Sequence, residues 1–142
     1  MSESKIMLAY RNDEGSVNIE SVWATKEGEF YRINNIPFFT SNIALNDLIK
    51  AKENNGALYY DDLVEASGHS TVQIVFLQKD ALKGVTEQLE KFGCGWEGSH
   101  LKYLISVDIP ANVDYAPIKS YLVNAEEQEV LSYKEACLEH KY

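Results

Sequence analysis

The groups in this sequence that could carry acid–base chemistry are a histidine and scattered carboxylates. His69 lies in the segment Ser67-Gly68-His69-Ser70-Thr71, where glycine permits a sharp turn and an imidazole titrates near neutral pH. As an acid or base His69 would need a carboxylate partner, and the candidates are Glu20, Asp47 and Glu97. The alternative is a junction loop whose polar side chains satisfy backbone groups. The sequence favours this alternative, because no nucleophile is evident and a catalytic assignment needs geometry that the sequence does not give. We therefore predict no catalytic residue.

A second candidate is the pair Glu20 and Trp23, which fall on opposite faces of one predicted strand. Glu20 could be a carboxylate in a pocket, with the tryptophan forming the wall of a neighbouring core. We favour the simpler interpretation, a solvated edge carboxylate and a core indole, because most buried tryptophans are packing residues.

The segment Asn34-Asn35-Ile36-Pro37-Phe38-Phe39 predicts a loop, because proline lacks an N–H group and restricts the residue before it. Asparagines tolerate left-handed φ and form side-chain turns. We expect Phe38 and Phe39 to anchor this loop in the core. An exposed aromatic pair would instead indicate an interface hot spot.

The common motifs for phosphate, dinucleotide, serine-hydrolase and zinc-protease sites do not occur, so the sequence predicts no cofactor. Cys94, His100, Cys137 and His140 could bind zinc only if the chain folds back on itself. Structural zinc ligands usually come in closely spaced pairs, which these residues do not form. We therefore predict no metal site.

Two acidic clusters lie close to tyrosines. The first comprises Asp61, Asp62 and Glu65 beside Tyr59 and Tyr60, and the second comprises Glu126, Glu127 and Glu129 before Tyr133. A run of charge is usually a solvated face. Acidic groups interleaved with tyrosines are also what a surface needs to occupy the cationic active site of a nuclease, because charge complementarity speeds encounter.

The elements that would position these groups fall into two halves of an α+β fold. Residues 1–70 predict short strands with frequent turns, at 12–15, 26–29 and 52–56, and hence a small barrel or curled antiparallel sheet. Residues 71–142 predict strand, helix, strand, strand, helix, strand, which is the ferredoxin-like βαββαβ order. The two halves are expected to be separate lobes or one continuous domain.

Both predicted helices have a candidate aspartate cap. Asp80 would precede a helix with apolar residues at Leu82, Val85, Leu89 and Phe92, ending at Gly93. Asp114 would precede a helix with Ile118, Tyr121, Leu122 and Ala125 inward. A strand over 129–133 follows, and the tail 134–142 is expected to be helical or frayed.

Charge and composition limit the partners. The chain has 142 residues, with 13 Lys and Arg against 22 Asp and Glu, and a formal net charge of −9. This disfavours direct nucleic-acid binding, which needs a basic surface, and permits binding to a basic protein. No apolar run approaches the roughly 20 residues of a membrane span, and residues 1–5 do not begin a secretory signal. The two cysteines are typical of a reduced, cytoplasmic protein.

Ordered landmarks run along most of the chain: Glu20-Ser-Val-Trp23-Ala, Tyr31-Arg-Ile-Asn-Asn-Ile-Pro-Phe-Phe39, Asn46-Asp47, Ser67-Gly-His-Ser-Thr71, Gly93-Cys94, Glu97-Gly98, Val107-Asp-Ile-Pro110 and Glu135-Ala-Cys-Leu138. In these landmarks the chain resembles a bacterial family catalogued as domain of unknown function 4265. The resemblance implies a bacterial origin and no particular activity. It marks as motif positions Glu20, Trp23, Asn35, Asp47, His69 and Glu97.

Two functions from different classes remain open. The first is an immunity protein or antitoxin that uses the acidic clusters to block a cationic toxin, with a nuclease domain as the leading candidate. Small acidic bacterial proteins often resemble immunity proteins, which is an analogy. The second is a ligand-binding module or minor enzyme, with a pocket between the lobes lined by the motif positions. A regulator that pairs through its sheet edges is a third possibility, but the sequence does not locate those edges.

Overall fold

The computed structural model describes residues 3–12 and 14–141. The elements follow the order β1 (Glu3–Arg11), β2 (Val17–Glu27), β3 (Phe30–Ile33), β4 (Leu48–Asn54), β5 (Ala57–Glu65), β6 (Ser70–Phe76), α1 (Leu82–Lys91), β7 (Gly95–Gly98), β8 (Leu104–Ile109), α2 (Ala116–Glu127) and β9 (Leu131–Cys137). Residues 1, 2 and 13 lie outside the described residues, and with them part of segment 1–5, which is not expected to begin a secretory signal, and part of the predicted turn at 12–15. Among the described residues, no helix is long and apolar enough to cross a membrane.

Strands β1 to β5 form a closed barrel, as the short strands and frequent turns of residues 1–70 predict. Each strand pairs antiparallel with the next, and β1 closes the barrel by a short parallel pairing with β5. One face of each strand is therefore directed inward, which accounts for the period of two in the sequence. The barrel core consists of Ile6, Leu8, Val22, Ala24, Ile33, Ile43 and Ile49.

Strands β6 to β9 form an antiparallel sheet in the order β7-β8-β6-β9. With α1 between β6 and β7 and α2 between β8 and β9, this is the predicted ferredoxin-like arrangement. Apolar residues of both helices pack on one face of the sheet and form a second core. In chain order, the barrel core and the residues packed on it extend no further than Leu63, and the first buried residue of the second core is Val72. The division of the chain into two domains stays a prediction.

Both helix starts differ from the predicted caps. α1 begins at Leu82 with Ala81 at the N-cap position, and no side chain caps it, so the cap predicted for Asp80 is wrong. The N-cap of α2 is Tyr115, while Asp114 accepts a hydrogen bond from the Ala116 N–H at 3.1 Å. Gly93 ends α1 with a φ of +99°, as predicted.

Two strand boundaries also differ from the sequence prediction. The sequence predicts a strand from Leu101 to Ile109, but Lys102 and Tyr103 form a turn and β8 begins at Leu104. The tail is neither helical nor frayed up to Cys137, because β9 continues to pair with β6 as far as Thr71. Tyr142 lies outside the described residues.

Two glycines allow a matched test of the backbone geometry. Gly56, in the β4–β5 turn, has a φ of +83°, whereas Gly84 lies within α1, and an added Cβ would meet no atom within 4 Å at either position. Gly56→Ala should lower the free energy of unfolding by about 1–2 kcal/mol, because the left-handed backbone is strained for alanine. Gly84→Ala should raise it by about 0.5–1 kcal/mol. Urea unfolding measures both variants, and changes of the same sign would contradict the assignment.

Candidate functional site

The irregular segment between β3 and β4, here called the 34–47 loop, contacts both halves of the molecule. Side chains of β2 and β7 accept hydrogen bonds from its backbone N–H groups. Ser106 of β8 donates to the Pro37 carbonyl at 2.7 Å, and Gln73 of β6 donates to the Phe38 carbonyl. Ala136 of β9 accepts from the Asn42 N–H at 2.9 Å. A loop without regular structure thus has its backbone groups satisfied by residues distant in sequence.

Glu20 makes the densest set of these contacts. Its carboxylate accepts hydrogen bonds from the backbone N–H groups of Phe38, Phe39 and Thr40 at 2.9, 2.8 and 2.6 Å, and from the Thr40 hydroxyl at 2.7 Å. The interpretation of Glu20 as a solvated edge carboxylate is therefore wrong. Hydrogen bonds to an ionised acceptor are roughly twice as strong as neutral ones, so this carboxylate fixes the loop over residues 38–40.

Trp23 lies on the outer face of β2 and is not a core indole. Its side chain is 45% exposed, and the Lys5 ammonium is 5.4 Å from the centre of a Trp23 ring. Its backbone N–H donates to the Asn35 side-chain oxygen at 2.7 Å. The sequence correctly placed Glu20 and Trp23 on opposite faces of β2. It assigned the Trp23 face to the core, however, whereas the face that carries Glu20 is the one directed inward and toward the loop.

Phe38 and Phe39 are half-buried and belong to neither core, contrary to expectation. The Phe39 ring stacks on Tyr10 of β1, with ring centres 5.2 Å apart and planes within 18°. Left-handed backbone occurs in this loop at Asn42 and Asn46, not at Asn34 or Asn35. Phe39 therefore links the loop to the end of β1, on the strand face that also carries the core residues Ile6 and Leu8.

Glu97 and Asp47 fix the loop at two further points. Glu97 of β7 accepts from the Ile36 N–H at 2.7 Å. Asp47, which is only 2% exposed, accepts from the Ala44 and Ser67 N–H groups at 3.0 and 2.9 Å. The Ser67 hydroxyl lies 2.8 Å from the same carboxylate. A buried carboxylate needs such donors, and here backbone groups supply them.

His69 pairs with Asp108 of β8, and none of its three predicted partners contacts it. The distance from Nδ1 to the Asp108 carboxylate is 2.8 Å, and both side chains are largely buried. Burial raises the pKa of the Asp108 carboxyl, while the hydrogen bond from His69 opposes that shift. The sequence assignment failed because it did not consider Asp108, which sits opposite Thr71 in the β6–β8 register.

The six motif positions therefore do not line one pocket. Trp23 and Asn35 share one contact and the other four take part in separate contacts that hold a loop or a strand end; the carboxylates among the six accept from backbone N–H groups. A groove does lie between the barrel and the β6–β9 sheet, but other residues line it, among them Tyr10, Arg11, Phe39 and Lys134. One signal could have revealed the loop contacts. Glu20 shares a strand face with the core residues Val22 and Ala24, and an inward carboxylate requires donors nearby.

The cysteines and histidines of the conceivable zinc site do not come together. No group of three or more His, Cys, Asp or Glu side chains in the described ranges could hold a metal ion. Cys94 packs in the second core, and His140 contacts Ser70 and the Pro110 carbonyl. Burial raises the pKa of both the Cys94 and the Cys137 thiol to about 12, so both are protonated near neutral pH.

Glu20→Gln tests the main loop contact. We expect a loss of about 2 kcal/mol or more in the free energy of unfolding, because an amide offers one weaker acceptor to four donors. Amide hydrogen exchange at Phe38 to Thr40 should accelerate. Glu29→Gln is the matched control, since Glu29 is exposed and the charge change is the same. If the two variants unfold and exchange alike, the structural role of Glu20 is refuted.

Thiol labelling tests the burial of the cysteines. Cys94 and Cys137 should be inert to an aromatic disulfide reagent in the folded protein, since only the thiolate reacts and both thiols are buried. In guanidinium chloride both should react fully. Rapid labelling of either thiol under native conditions would contradict the packing described for it.

Comparisons with other proteins agree on the architecture and supply no activity. No characterised protein matches the sequence significantly. A crystal structure of a hypothetical protein from Neisseria gonorrhoeae is similar, with 29% sequence identity and a TM-score of 0.89 over 97% of this chain and 96% of that chain. A family model matches residues 20–133, which include all six motif positions. The chain therefore belongs to the family described as Domain of unknown function (DUF4265).

Proposed function

We propose that this protein is a cytoplasmic immunity protein or antitoxin, which binds a cationic toxin and blocks it, with a nuclease domain as the preferred partner. It would act by shape and charge and would perform no reaction. The observation that carries the proposal is a division among its carboxylates. Glu20, Asp47 and Glu97 are buried or half-buried and bind the backbone of the 34–47 loop, whereas five carboxylates of the acidic clusters are exposed: Asp62, Glu65, Glu126, Glu127 and Glu129.

The first acidic cluster lies along β5 on the barrel. Asp62 and Glu65 are exposed and form no ion pair within the described ranges, while Asp61 lies 3.8 Å from the Lys52 ammonium. Of the tyrosines proposed as anchors here, Tyr60 packs against the barrel core and is not available for a partner. Tyr59 is half-buried and is not among the residues packed on that core. The cluster thus offers carboxylates with one adjacent aromatic ring.

The second acidic cluster lies at the end of α2. Glu126, Glu127 and Glu129 are exposed, and Glu126 accepts from the Tyr133 N–H at 3.2 Å. The Tyr133 ring packs against the second core with the Lys119 ammonium 5.1 Å from its centre, which makes it a poor anchor for a partner. Glu127 and Glu129 form no ion pair in the part of the chain that is described.

Electrostatics explains why such surfaces suit a basic target. With 22 acidic and 13 basic side chains, the protein has a negative field that would steer a cationic domain to it. Exposed carboxylates at the edge of an interface with a cationic partner raise association rates more than they raise affinity. The proposal therefore predicts a strong dependence of the association rate on salt.

The first step is to look for a cationic toxin domain encoded in a gene that flanks this one. Charge reversal then tests the proposal with that domain as the binding partner. Asp62→Lys with Glu65→Lys reverses the barrel cluster, and Glu127→Lys with Glu129→Lys reverses the helix cluster. We expect at least one double variant to weaken binding by about tenfold or more, with loss of protection against the toxin in cells.

The matched control is Glu87→Lys with Glu90→Lys, which makes the same charge change on the exposed face of α1. It should leave affinity within about threefold of the wild type, since only the long-range field changes. Unchanged affinity in both cluster variants would remove the acidic surfaces from the interface. If no flanking gene encodes a cationic toxin domain, or if the wild-type protein does not bind the domain that is encoded there, the proposed function itself is refuted.

A further inference from the structure

The groove between the barrel and the β6–β9 sheet has the size of a ligand site. Its volume is about 380 Å³, within the usual range of roughly 300–1,000 Å³ for small-molecule sites. We propose that it binds a small anion that carries a flat ring, through Arg11 and Lys134 on either side and the stacked rings of Tyr10 and Phe39. This inference is independent of the proposed binding to a toxin.

The charge of the groove differs from that of the whole protein. The described residues that line it include Arg11 and Lys134 but no aspartate or glutamate, although the chain has an excess of nine acidic groups. Arg11 belongs to β1 of the barrel and Lys134 to β9 of the sheet, so the two halves each contribute one cation. A positive site in an otherwise acidic molecule would select anions by charge.

Both cationic side chains have N–H groups without a hydrogen-bond partner among the described residues. The Arg11 guanidinium gives one hydrogen bond to the Gly15 carbonyl at 2.9 Å, and its remaining N–H groups have no partner among the described residues. Lys134 forms no ion pair and no side-chain hydrogen bond in the described ranges. A carboxylate or phosphate could therefore be bound without displacing an internal ion pair.

Aromatic and aliphatic side chains form the apolar part of the groove. Tyr10 and Phe39 stack at 5.2 Å, and Val75 of β6 lines the same groove with 37% of its surface exposed. Aromatic rings pack well in offset-stacked or edge-to-face geometry on such surfaces. A bare inorganic anion would leave these groups uncovered, and a neutral apolar ligand would leave both cations unpaired. A ring that bears an anionic group satisfies both requirements.

The site is held in shape before any ligand binds. The Phe39 N–H donates to Glu20 at 2.8 Å, which fixes the position from which the Phe39 ring stacks on Tyr10. Gln73, another lining residue, donates to the Phe38 carbonyl. Preorganisation lowers the entropic cost of binding, so a weak but specific ligand is expected to be detectable.

Amide NMR shifts of the wild-type protein, titrated at low salt, test the proposal. Naphthoate is the probe, naphthamide is its neutral isostere, and naphthyl phosphate distinguishes a phosphate from a carboxylate ligand. We expect saturable shifts confined to residues 10–12, 39, 73–75 and 132–134, with a Kd on the order of 1 mM for naphthoate. Naphthamide should bind more weakly, and whichever anion binds more tightly indicates the class of the natural ligand.

Two variants and one control decide the outcome. Arg11→Gln with Lys134→Gln should weaken naphthoate binding by about fivefold or more and leave naphthamide unaffected. Ser132→Tyr, an exposed substitution within the groove, should abolish both by occupying the space. Lys26→Gln with Lys102→Gln, at exposed positions outside the groove, should change neither. The proposal is overturned if neither anion shifts these amides, if the shifts lie elsewhere, or if naphthamide binds as tightly as naphthoate.

Discussion

The hydrogen bonds from three consecutive backbone N–H groups to Glu20 are the constraint on which the rest of this structure depends. Irregular segments longer than about 12–15 residues are uncommon in small domains, because their backbone groups lack the regular partners of helices and strands. The 34–47 loop is such a segment. Carboxylates provide the hydrogen-bond acceptors that helices and strands would otherwise provide for backbone N–H groups, since each carboxylate oxygen accepts more than one hydrogen bond. Glu97 of the β6–β9 sheet accepts a hydrogen bond from the same loop. The loop therefore contacts both the barrel and the sheet, and so connects the two halves.

This explains why polar residues recur in landmark positions although they do not come together at one place. Asp47 joins the end of the loop to Ser67, and His69 joins the following segment to Asp108. Each contact lies where the chain passes from one half to the other. Residues of catalytic type can therefore be required by the architecture, and a histidine beside a carboxylate is not by itself evidence for acid–base catalysis.

The architecture was predictable from the sequence because it depends on periodicity. Alternation in residues 5–10 and 17–24 predicts the barrel strands, and the order of strands and helices after residue 70 predicts the ferredoxin-like sheet. The long-range polar contacts were not predictable, because residues such as Glu20 and Thr40 meet only after the loop has folded over the barrel. Helix starts were also assigned wrongly at Asp80, since capping is one weak contribution and packing of the apolar face decides where a helix begins. The groove combines residues from β1, β9 and the loop, and no local pattern indicates that combination.

The two tryptophans of the chain are divided between the halves, and this has a spectroscopic consequence. Trp23 projects from the barrel with the Lys5 ammonium beside it, whereas Trp96 packs against the second core from β7. The Trp23 indole is exposed to solvent, whereas the Trp96 indole is half-buried against the second core. The fluorescence of the folded protein is therefore the sum of a longer-wavelength component from Trp23 and a shorter-wavelength component from Trp96. Replacing either indole by phenylalanine leaves a single fluorophore that reports on one half alone. Heating or denaturant would then reveal whether barrel and sheet lose their structure together or in succession.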